Sequence, residues 1–248
     1  MGIRLQKRLS ELGVSSRRAA EQWILDGRIR VNNQLVTKLG TKVGIDDRIM
    51  VDNRLVTGET PPKVYWLFNK PKKTLCSHES NDAKSTIYQL ASLNSLPFKI
   101  NSVGRLDYMT EGLLLLTNDG PLIHRLTHPK YHVPRSYQVL ISGRLDQSHI
   151  DKLKNNFMLP DGPVRKLDIK YLHQESSKGG KGSSWYYVTV YEGRNRLIRR
   201  IFESLEFPVQ RLIRYEFGNV KLPSDLEVGQ YRQLSAKEIS YLKSVTSS

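Results

Sequence analysis

The apolar positions near the start of the chain recur at the spacing of two short helices. Ile3–Leu12 carries leucines at helical intervals, and Gly13 follows at the place where a left-handed cap is expected. A second helix is predicted over Arg17–Leu25, because Ser15 or Ser16 can cap its first turn.

Short strands are predicted directly after the helices. Arg28–Val31 and Gln34–Thr37 alternate around Asn32-Asn33, a residue pair that favours a tight hairpin turn. Lys42–Val51 is predicted as a closing pair of strands with a turn at Gly44–Asp47. The first part of the chain is therefore expected to be a small unit of two helices and short strands.

A polar segment, Asp52–Lys63, separates this unit from the rest and is predicted as a linker that ends in two prolines. We expect a first domain with its linker over 1–61 and a second domain over 62–248. The second domain begins with the apolar run Val64–Phe68, and Ser176–Ser184 is predicted as a flexible loop between strands. The remaining predicted strands are Leu113–Thr117, Ser136–Ser142 and Trp185–Tyr191, and the predicted helices are Pro121–Leu126, His149–Asn155, Asn195–Leu205 and Ala236–Ser244. This order of elements predicts an α+β fold with a largely antiparallel sheet flanked by helices and a central cleft.

The densest chemical signal is the run GRLDYMTEGLLLLTNDG, which begins at Gly104. It places a basic and an acidic residue, Arg105 and Asp107, in a loop before a strand of four leucines, which suits a strand covered on both faces. Asp119 can cap a helix that has a proline in its first turn. A loop aspartate beside a buried strand is a plausible catalytic group, although most loop aspartates form turns or caps.

The helix predicted over Asn195–Leu205 has one apolar face, and its arginines surround that face. At about 100° per residue, Arg199 and Arg200 lie on opposite edges of the face, while Arg196 lies behind it. One of Arg199 and Arg200 can therefore turn towards a cleft while the other meets solvent or a polyanion. Periodicity alone does not choose between them.

The overall charge narrows the classes of partner. The chain has 248 residues and a formal net charge of +15, with 39 Lys and Arg against 24 Asp and Glu. Residues 1–51 carry ten Lys and Arg against five Asp and Glu, a third of the net charge in a fifth of the chain. A basic protein of this kind usually binds a polyanion, most often nucleic acid, although a solvated basic surface is the alternative.

Bulk composition excludes other classes of protein. A hydrophobic fraction of 38% is too high for a wholly disordered chain, and the longest apolar run, Leu113–Leu116, is far too short for a membrane span. The single cysteine, Cys76, rules out an internal disulfide and a Cys-rich metal site. We expect a cytoplasmic protein that does not bind membranes.

The first unit resembles an S4 RNA-binding domain. The residues that carry the resemblance are RLQKRLSELGVSSRRAAEQWILDGRIRVNNQLV, with two basic residues at the start of the second helix. The resemblance implies that this helix contacts RNA phosphates through Arg17 and Arg18, which agrees with the affinity of helix N-termini for anions. The full set of expected RNA-contacting residues is Arg4, Arg17, Arg18 and Arg28 in the first unit and Arg194 in the second.

The second unit resembles the RsuA/RluB family of pseudouridine synthases, and most closely its members that act on large-subunit ribosomal RNA. The GRLD run matches the catalytic motif of that family, and further matches follow in order along nearly the whole chain. These matches are Asn69-Lys70-Pro71, Cys76-Ser77, Arg135–Val139, Glu192–Arg200, Val209–Arg214, Leu222-Pro223 and Gly229-Gln230.

The resemblance implies a role for each matching residue. Asp107 matches the nucleophilic aspartate, Tyr137 the tyrosine that stacks on the target base, and Arg199 the basic residue paired with the aspartate. Leu212 matches the apolar residue that packs under the base. Arg105 matches a residue that holds the flipped nucleotide or fills its vacated place.

The implied reaction is the isomerisation of a specific uridine to pseudouridine in ribosomal RNA. It exchanges no electrons and transfers no external group, so we expect neither a cofactor nor a metal. The expected partner is ribosomal RNA or an assembling ribosomal subunit, and we expect the protein to act as a monomer.

Two other functions remain open from the residues. The chain could be a non-catalytic RNA-binding factor in ribosome assembly that retains the fold, although such a protein needs charge but not Asp107, Tyr137, Arg199 and Leu212 together. An aspartate-dependent glycosidase is less consistent with the sequence, because it needs a second carboxylate at a suitable distance and no residue is marked for that role.

Overall fold

The computed structural model describes residues 2–57, 61–79, 83–94, 100–155, 157–175 and 182–245. The chain divides into two compact units, Met1–Lys63 and Val64–Ser248. Within the described ranges, none of the helices combines the length and apolar character needed to cross a membrane.

Unit 1 contains two helices packed on short strands. Its elements are β1 Ile3–Arg4, α1 Leu5–Glu11, α2 Arg17–Leu25, β2 Ile29–Val31, β3 Gln34–Val36, β4 Lys42–Val43, β5 Ile49–Val51 and β6 Arg54–Leu55. The predicted second helix is confirmed with its cap, since the Ser16 hydroxyl accepts a hydrogen bond from the Ala19 amide at 3.1 Å. Helix α1 begins two residues later than predicted, because Ile3 and Arg4 pair with β4 as a strand.

The strand pairing of unit 1 corrects two predictions. Lys42–Val51 is not a closing strand pair, because β4 pairs with β1 whereas β5 pairs with β2 and β6. The predicted linker begins too early, because Asp52 and Asn53 adopt left-handed turn conformations that return the chain into β6. The Asp52 carboxylate also binds the side chain of Arg28, the residue before β2, so this ion pair joins the turn to the start of β2.

Unit 2 is built on one large sheet. Its strands are β7 Tyr65–Lys70, β8 Asn101–Ser102, β9 Glu111–Thr117, β10 Arg135–Ser142, β11 Met158–Leu159, β12 Gly162–Pro163, β13 Leu167–Glu175, β14 Ser183–Val190, β15 Val209–Phe217, β16 Val220–Lys221 and β17 Tyr231–Gln233. Its helices are α3 Ala91–Asn94, α4 Gly120–Thr127, α5 Gln147–Lys154, α6 Leu197–Glu203 and α7 Ala236–Ser244, with 3-10 turns at Ile87–Gln89 and Pro129–Tyr131.

The main path of the sheet runs β13-β14-β10-β15-β9-β7-β17. All of these neighbours pair antiparallel except β9 and β15, which are parallel where Ile213 and Arg214 face Glu111 and Gly112. The prediction of an α+β fold with a mostly antiparallel sheet is confirmed. This parallel contact brings the strand after the Asp107 loop against a strand about a hundred residues later in the sequence.

Strand β9 lies in the interior of this sheet, between β15 and β7, and is buried along its whole length. Leu113 and Leu115 pack against α4 and α7, whereas Leu114 and Leu116 pack on the opposite face with Trp66. The four-leucine run therefore forms the doubly covered strand that its sequence predicts. The predicted cap of α4 is also present, because the Asp119 carboxylate accepts a hydrogen bond from the Leu122 amide.

Two long strands, β13 and β15, were not predicted from the sequence. Strand β15 contains Arg211 and Arg214 among its apolar residues, and Arg214 is buried, so the strand lacks a clean alternation of apolar and polar positions. The predicted loop Ser176–Ser184 lies outside the described residues over 176–181, and its last two residues belong to β14.

Gly112 marks the closest approach of β9 to β15. Its φ is +97°, and a Cβ atom added there would lie 2.4 Å from the Arg214 carbonyl oxygen. Only glycine meets both conditions, so this residue permits the parallel contact.

Replacing this glycine is therefore expected to destabilise unit 2. Gly112→Ala should lower the free energy of unfolding by at least about 2 kcal/mol, because backbone strain and a steric clash add. Gly229→Ala is the matched control, since Gly229 has φ +85° but nothing within 4 Å of the added Cβ. Urea unfolding of both variants measures the difference, and equal losses would contradict a specific clash at Gly112.

Candidate active site

The loop that carries Asp107 lies between β8 and β9 and is tied down on both sides. The Thr110 amide donates to the Asp107 carbonyl at 3.0 Å, and the Lys73 amide donates to the Tyr108 carbonyl at 2.8 Å. The Cys76 sulfur lies 3.4 Å from both the amide nitrogen and the carbonyl oxygen of Leu106. These contacts hold the backbone, so the half-buried Asp107 side chain extends from a fixed loop.

A buried ammonium group lies beneath this loop. Lys70, at the end of β7, is completely buried, and its Nζ donates to the carbonyls of Pro71, Asp107 and Thr110 at 2.9, 3.3 and 2.9 Å. Burial lowers the pKa of Lys70 to about 8, although the nearby Asp107 and Glu111 carboxylates act in the opposite direction. The ammonium therefore joins β7 of the sheet to two carbonyls of the loop, those of Asp107 and Thr110.

A cleft of about 730 Å3, which includes its open mouth, lies over one face of the sheet beside this loop. Four residues predicted for the site line it together: Arg105 and Asp107 from the loop, Tyr137 from β10 and Leu212 from β15. Strands β10 and β15 are adjacent, and Val139 pairs with Leu212 while Tyr137 pairs with Arg214. Residues far apart in sequence thus meet on one sheet face.

Arg199 and Arg200 point in different directions from α6. The Arg199 guanidinium donates to the Val209 carbonyl at 3.2 Å and to the Met109 carbonyl at 3.3 Å, so it reaches the Asp107 loop. Arg200 instead binds the Asp161 carboxylate. Burial lowers the pKa of Arg199, and the Asp107 carboxylate acts in the opposite direction. Arg199 therefore contacts the loop that carries Asp107 through the Met109 carbonyl. Among the described residues, the Arg199 and Asp107 side chains form no direct ion pair.

Arg194 lines the cleft but is held by neighbours. Its guanidinium forms a two-pronged contact with Asp161, donates to the Pro163 carbonyl at 2.9 Å, and lies 3.7 Å from Glu192. The side chain is 19% exposed, so it contributes to the wall of the cleft more than to an open surface.

Comparison with known proteins assigns the chain to a family. Residues 64–204 match the model of the RNA pseudouridylate synthase family, and residues 3–49 match that of the S4 domain. The chain belongs to the RNA pseudouridylate synthase family.

Relatives span almost the whole chain. It is 41% identical over 246 residues to the ribosomal large subunit pseudouridine synthase B of Pseudomonas aeruginosa, covering 98% of this chain and 62% of that protein. It is 35% identical to the protein of the same name from Bacillus subtilis, covering 98% of this chain and 96% of that one. A crystal structure of a pseudouridylate synthase matches with a TM-score of 0.66 and 29% identity, covering 97% of this chain and 99% of that chain.

Three buried residues of unit 2 lie in motifs that match the family, but the sequence predicted no role for them. Lys70 is the central residue of the Asn-Lys-Pro motif, while Arg135 and Arg214 are the first and last residues of two other motifs. All three are buried, and Arg135 and Arg214 line the cleft. The sequence feature that could have indicated these residues is a charge within an otherwise strand-like segment. A sequence alone does not show that such a charge is buried.

The arginines predicted to contact RNA in the S4 unit have different surroundings. Arg4, Arg17 and Arg18 are exposed, and the last two occupy the first turn of α2. Arg28 is also exposed, but it binds Asp52 and lies 5.1 Å above the Trp23 ring. Three of the four are thus available to a phosphate, and the fourth first has to exchange its carboxylate partner.

The buried ammonium makes a pH-dependent contribution to stability that can be measured. The pKa of Lys70 is about 8 in the folded protein and 10.5 in an unperturbed side chain, so the unfolded chain binds the extra proton between these values. The free energy of unfolding of the wild type should therefore rise relative to that of Lys70→Met as the pH rises through this window, by at most about 3 kcal/mol. Urea unfolding of both proteins at about pH 8 and about pH 10.5 checks this, and a constant or falling difference would contradict it.

Proposed function

We propose that this protein is an RNA pseudouridine synthase that isomerises a specific uridine of ribosomal RNA, in the large subunit. The observation that carries the proposal is the meeting of Asp107, Tyr137 and Leu212 in one cleft, with Arg199 joined to the loop of Asp107. The names of the Pseudomonas and Bacillus relatives support large-subunit ribosomal RNA as the substrate.

The proposed chemistry needs no second substrate. The bond between C1′ of the ribose and N1 of uracil breaks, the base turns, and C5 of uracil bonds to C1′. C5 then loses its proton and N1 gains one. The numbers of atoms and electrons in the nucleotide do not change. The Asp107 carboxylate acts as the nucleophile that opens this sequence, and the bond that it forms to the nucleotide breaks again before the product leaves. Carboxylates perform this role in other covalent mechanisms.

The cleft provides for the base as well as for the nucleophile. Tyr137 offers a flat ring and a hydroxyl, and Leu212 offers a buried apolar surface beside it. A base within a helix cannot reach a loop aspartate, so the target nucleotide has to leave the stack and enter the cleft. Arg105 is exposed beside Asp107 and can hold the flipped nucleotide at the mouth of the cleft.

Replacing the nucleophile should abolish the reaction. Asp107→Asn keeps the size of the side chain but removes its charge, and we expect pseudouridine formation to fall by at least about a thousandfold. Asp119→Asn is the matched control, because asparagine also caps helices and the Asp119 carboxylate caps α4. Pseudouridine is mapped in ribosomal RNA after incubation with each protein. Equal modification by wild type and Asp107→Asn would refute the nucleophile, and no modification by either would favour a non-catalytic RNA-binding factor.

The two neighbouring arginines of α6 provide a second test. Arg199→Met should reduce kcat by at least about tenfold, because it removes a cation that acts on Asp107 and a donor to the Met109 carbonyl. Arg200→Met removes the same charge one residue later, where the side chain binds Asp161, and should leave kcat close to the wild-type value. Single-turnover rates measure both, and a larger loss in Arg200→Met would reverse the assignment.

The S4 unit should contribute to RNA affinity rather than to the chemical step. In the double variant Arg17→Gln/Arg18→Gln, we expect weaker RNA binding and a salt dependence reduced by about one to two units of log Kd per log salt, while single-turnover rates at saturation persist. A variant with Arg144→Gln and Lys237→Gln removes two exposed charges from unit 2 and serves as the control. An unchanged salt slope in the first variant would contradict a phosphate contact by these arginines.

A further inference from the structure

Two buried arginines lie on the floor of the cleft and have no assigned task. Arg135 of β10 is 8% exposed and Arg214 of β15 is 2% exposed, and both line the cleft that contains Asp107. Buried arginines are rare because removing a charge from water is costly unless a partner compensates it. Their presence in the lining of one cleft therefore calls for an explanation.

No carboxylate compensates these two charges among the described residues. Arg214 donates from Nε to the Leu113 carbonyl at 2.7 Å, and its Nη2 is buried without a hydrogen-bond partner in the part of the chain that the structure describes. Arg135 donates from Nη2 to the Leu126 carbonyl at 3.3 Å. Burial lowers the pKa of Arg135, and the neighbouring Arg214 charge lowers it further. Neither charge is thus paired with a carboxylate in the part of the chain that the structure describes.

Both guanidinium groups are fixed by the same aromatic ring. Their central carbons lie 5.3 and 5.2 Å from the centre of the Phe217 ring, so the two cations are no farther apart than about twice that distance. Gly193 also lies against Arg135, because a Cβ atom added to Gly193 would lie 3.6 Å from the guanidinium carbon. The pair is preorganised before any ligand enters.

Positive charge exceeds negative charge around the whole cleft. Its lining includes five arginines, namely Arg105, Arg135, Arg194, Arg196 and Arg214. Its two carboxylates are Asp107 and Glu192, and Glu192 lies 3.7 Å from Arg194. A neutral uracil ring would leave the buried charges uncompensated, whereas a phosphate group matches the planar donors of arginine in charge and geometry.

We propose that Arg135 and Arg214 form a phosphate subsite on the floor of the cleft, which binds a phosphodiester group of the nucleotide that enters it. The identity of that phosphodiester as part of an RNA substrate rests on the function proposed above. The subsite itself rests on the buried, unpartnered Nη2 of Arg214 and on the excess of cations. It anchors the backbone of the flipped nucleotide while the base meets Tyr137 and Leu212.

Inorganic phosphate tests the subsite without RNA. A ligand that binds only the folded protein raises its melting temperature, so phosphate should stabilise the full-length protein beyond chloride at the same ionic strength. The phosphate concentration for half the effect should increase at least about tenfold in Arg214→Met and in Arg135→Met. Arg144→Met, which removes an exposed arginine of the same unit, should behave like the wild type. Using both cleft variants keeps the test valid if one of them does not fold.

A modified RNA identifies the source of the phosphate. A methylphosphonate next to the target uridine removes one backbone charge, and it should lower kcat/KM of the wild type at least about tenfold. In Arg214→Met the same RNA should cause little further loss, because the contact is already absent.

The outcomes separate the two proposals. Absent phosphate stabilisation, or stabilisation that both cleft variants retain, overturns the subsite even if pseudouridine is formed. Phosphate binding that both variants lose supports the subsite even if the wild type forms no pseudouridine, a result that would refute only the proposed function. If the losses from the methylphosphonate and from Arg214→Met simply add, the RNA backbone is not the ligand and that part of the proposal is wrong.

Discussion

One buried ammonium group connects the sheet of unit 2 to the loop that defines its site. Lys70 ends the strand that pairs with β9, and two of its three hydrogen bonds hold the carbonyls of Asp107 and Thr110 in the loop. A charge without access to water is stable only when its donors are satisfied, so the loop cannot move without leaving those donors unpaired. The position of the Asp107 side chain thus depends on a residue 37 positions earlier in the chain.

The positive charge of the protein occurs in two environments. In unit 1, arginines such as Arg17 and Arg18 are exposed to water, so salt screens their interaction with any anion. In the cleft, Arg135 and Arg214 are removed from water before a ligand arrives, which costs stability but strengthens their interaction with an anion. The net charge of +15 does not distinguish these two populations, which differ in their exposure to water.

Local signals in the sequence predicted much of the secondary structure. The cap of α2 by Ser16 and that of α4 by Asp119 are formed as expected, because a cap involves only neighbouring residues. The pairing of Lys42–Val51 was predicted wrongly, and β15 was not predicted at all. The first failure concerns partners distant in sequence, since a strand does not encode which other strand it will meet. Strand β15 was missed because Arg211 and the buried Arg214 interrupt its alternation of apolar and polar positions.

The sequence by itself determined the family, the order of the motifs and the residues that deserve attention, because these are properties of residue type and spacing. Helical phase placed Arg199 and Arg200 at edges of one apolar face, and the resemblance favoured Arg199. Only the tertiary structure shows that Arg199 contacts the Asp107 loop while Arg200 binds Asp161. It also decided that Arg214 is buried on the cleft floor, through the parallel contact of β15 with β9. Burial and pairing depend on contacts across the fold, and only the folded chain establishes those contacts.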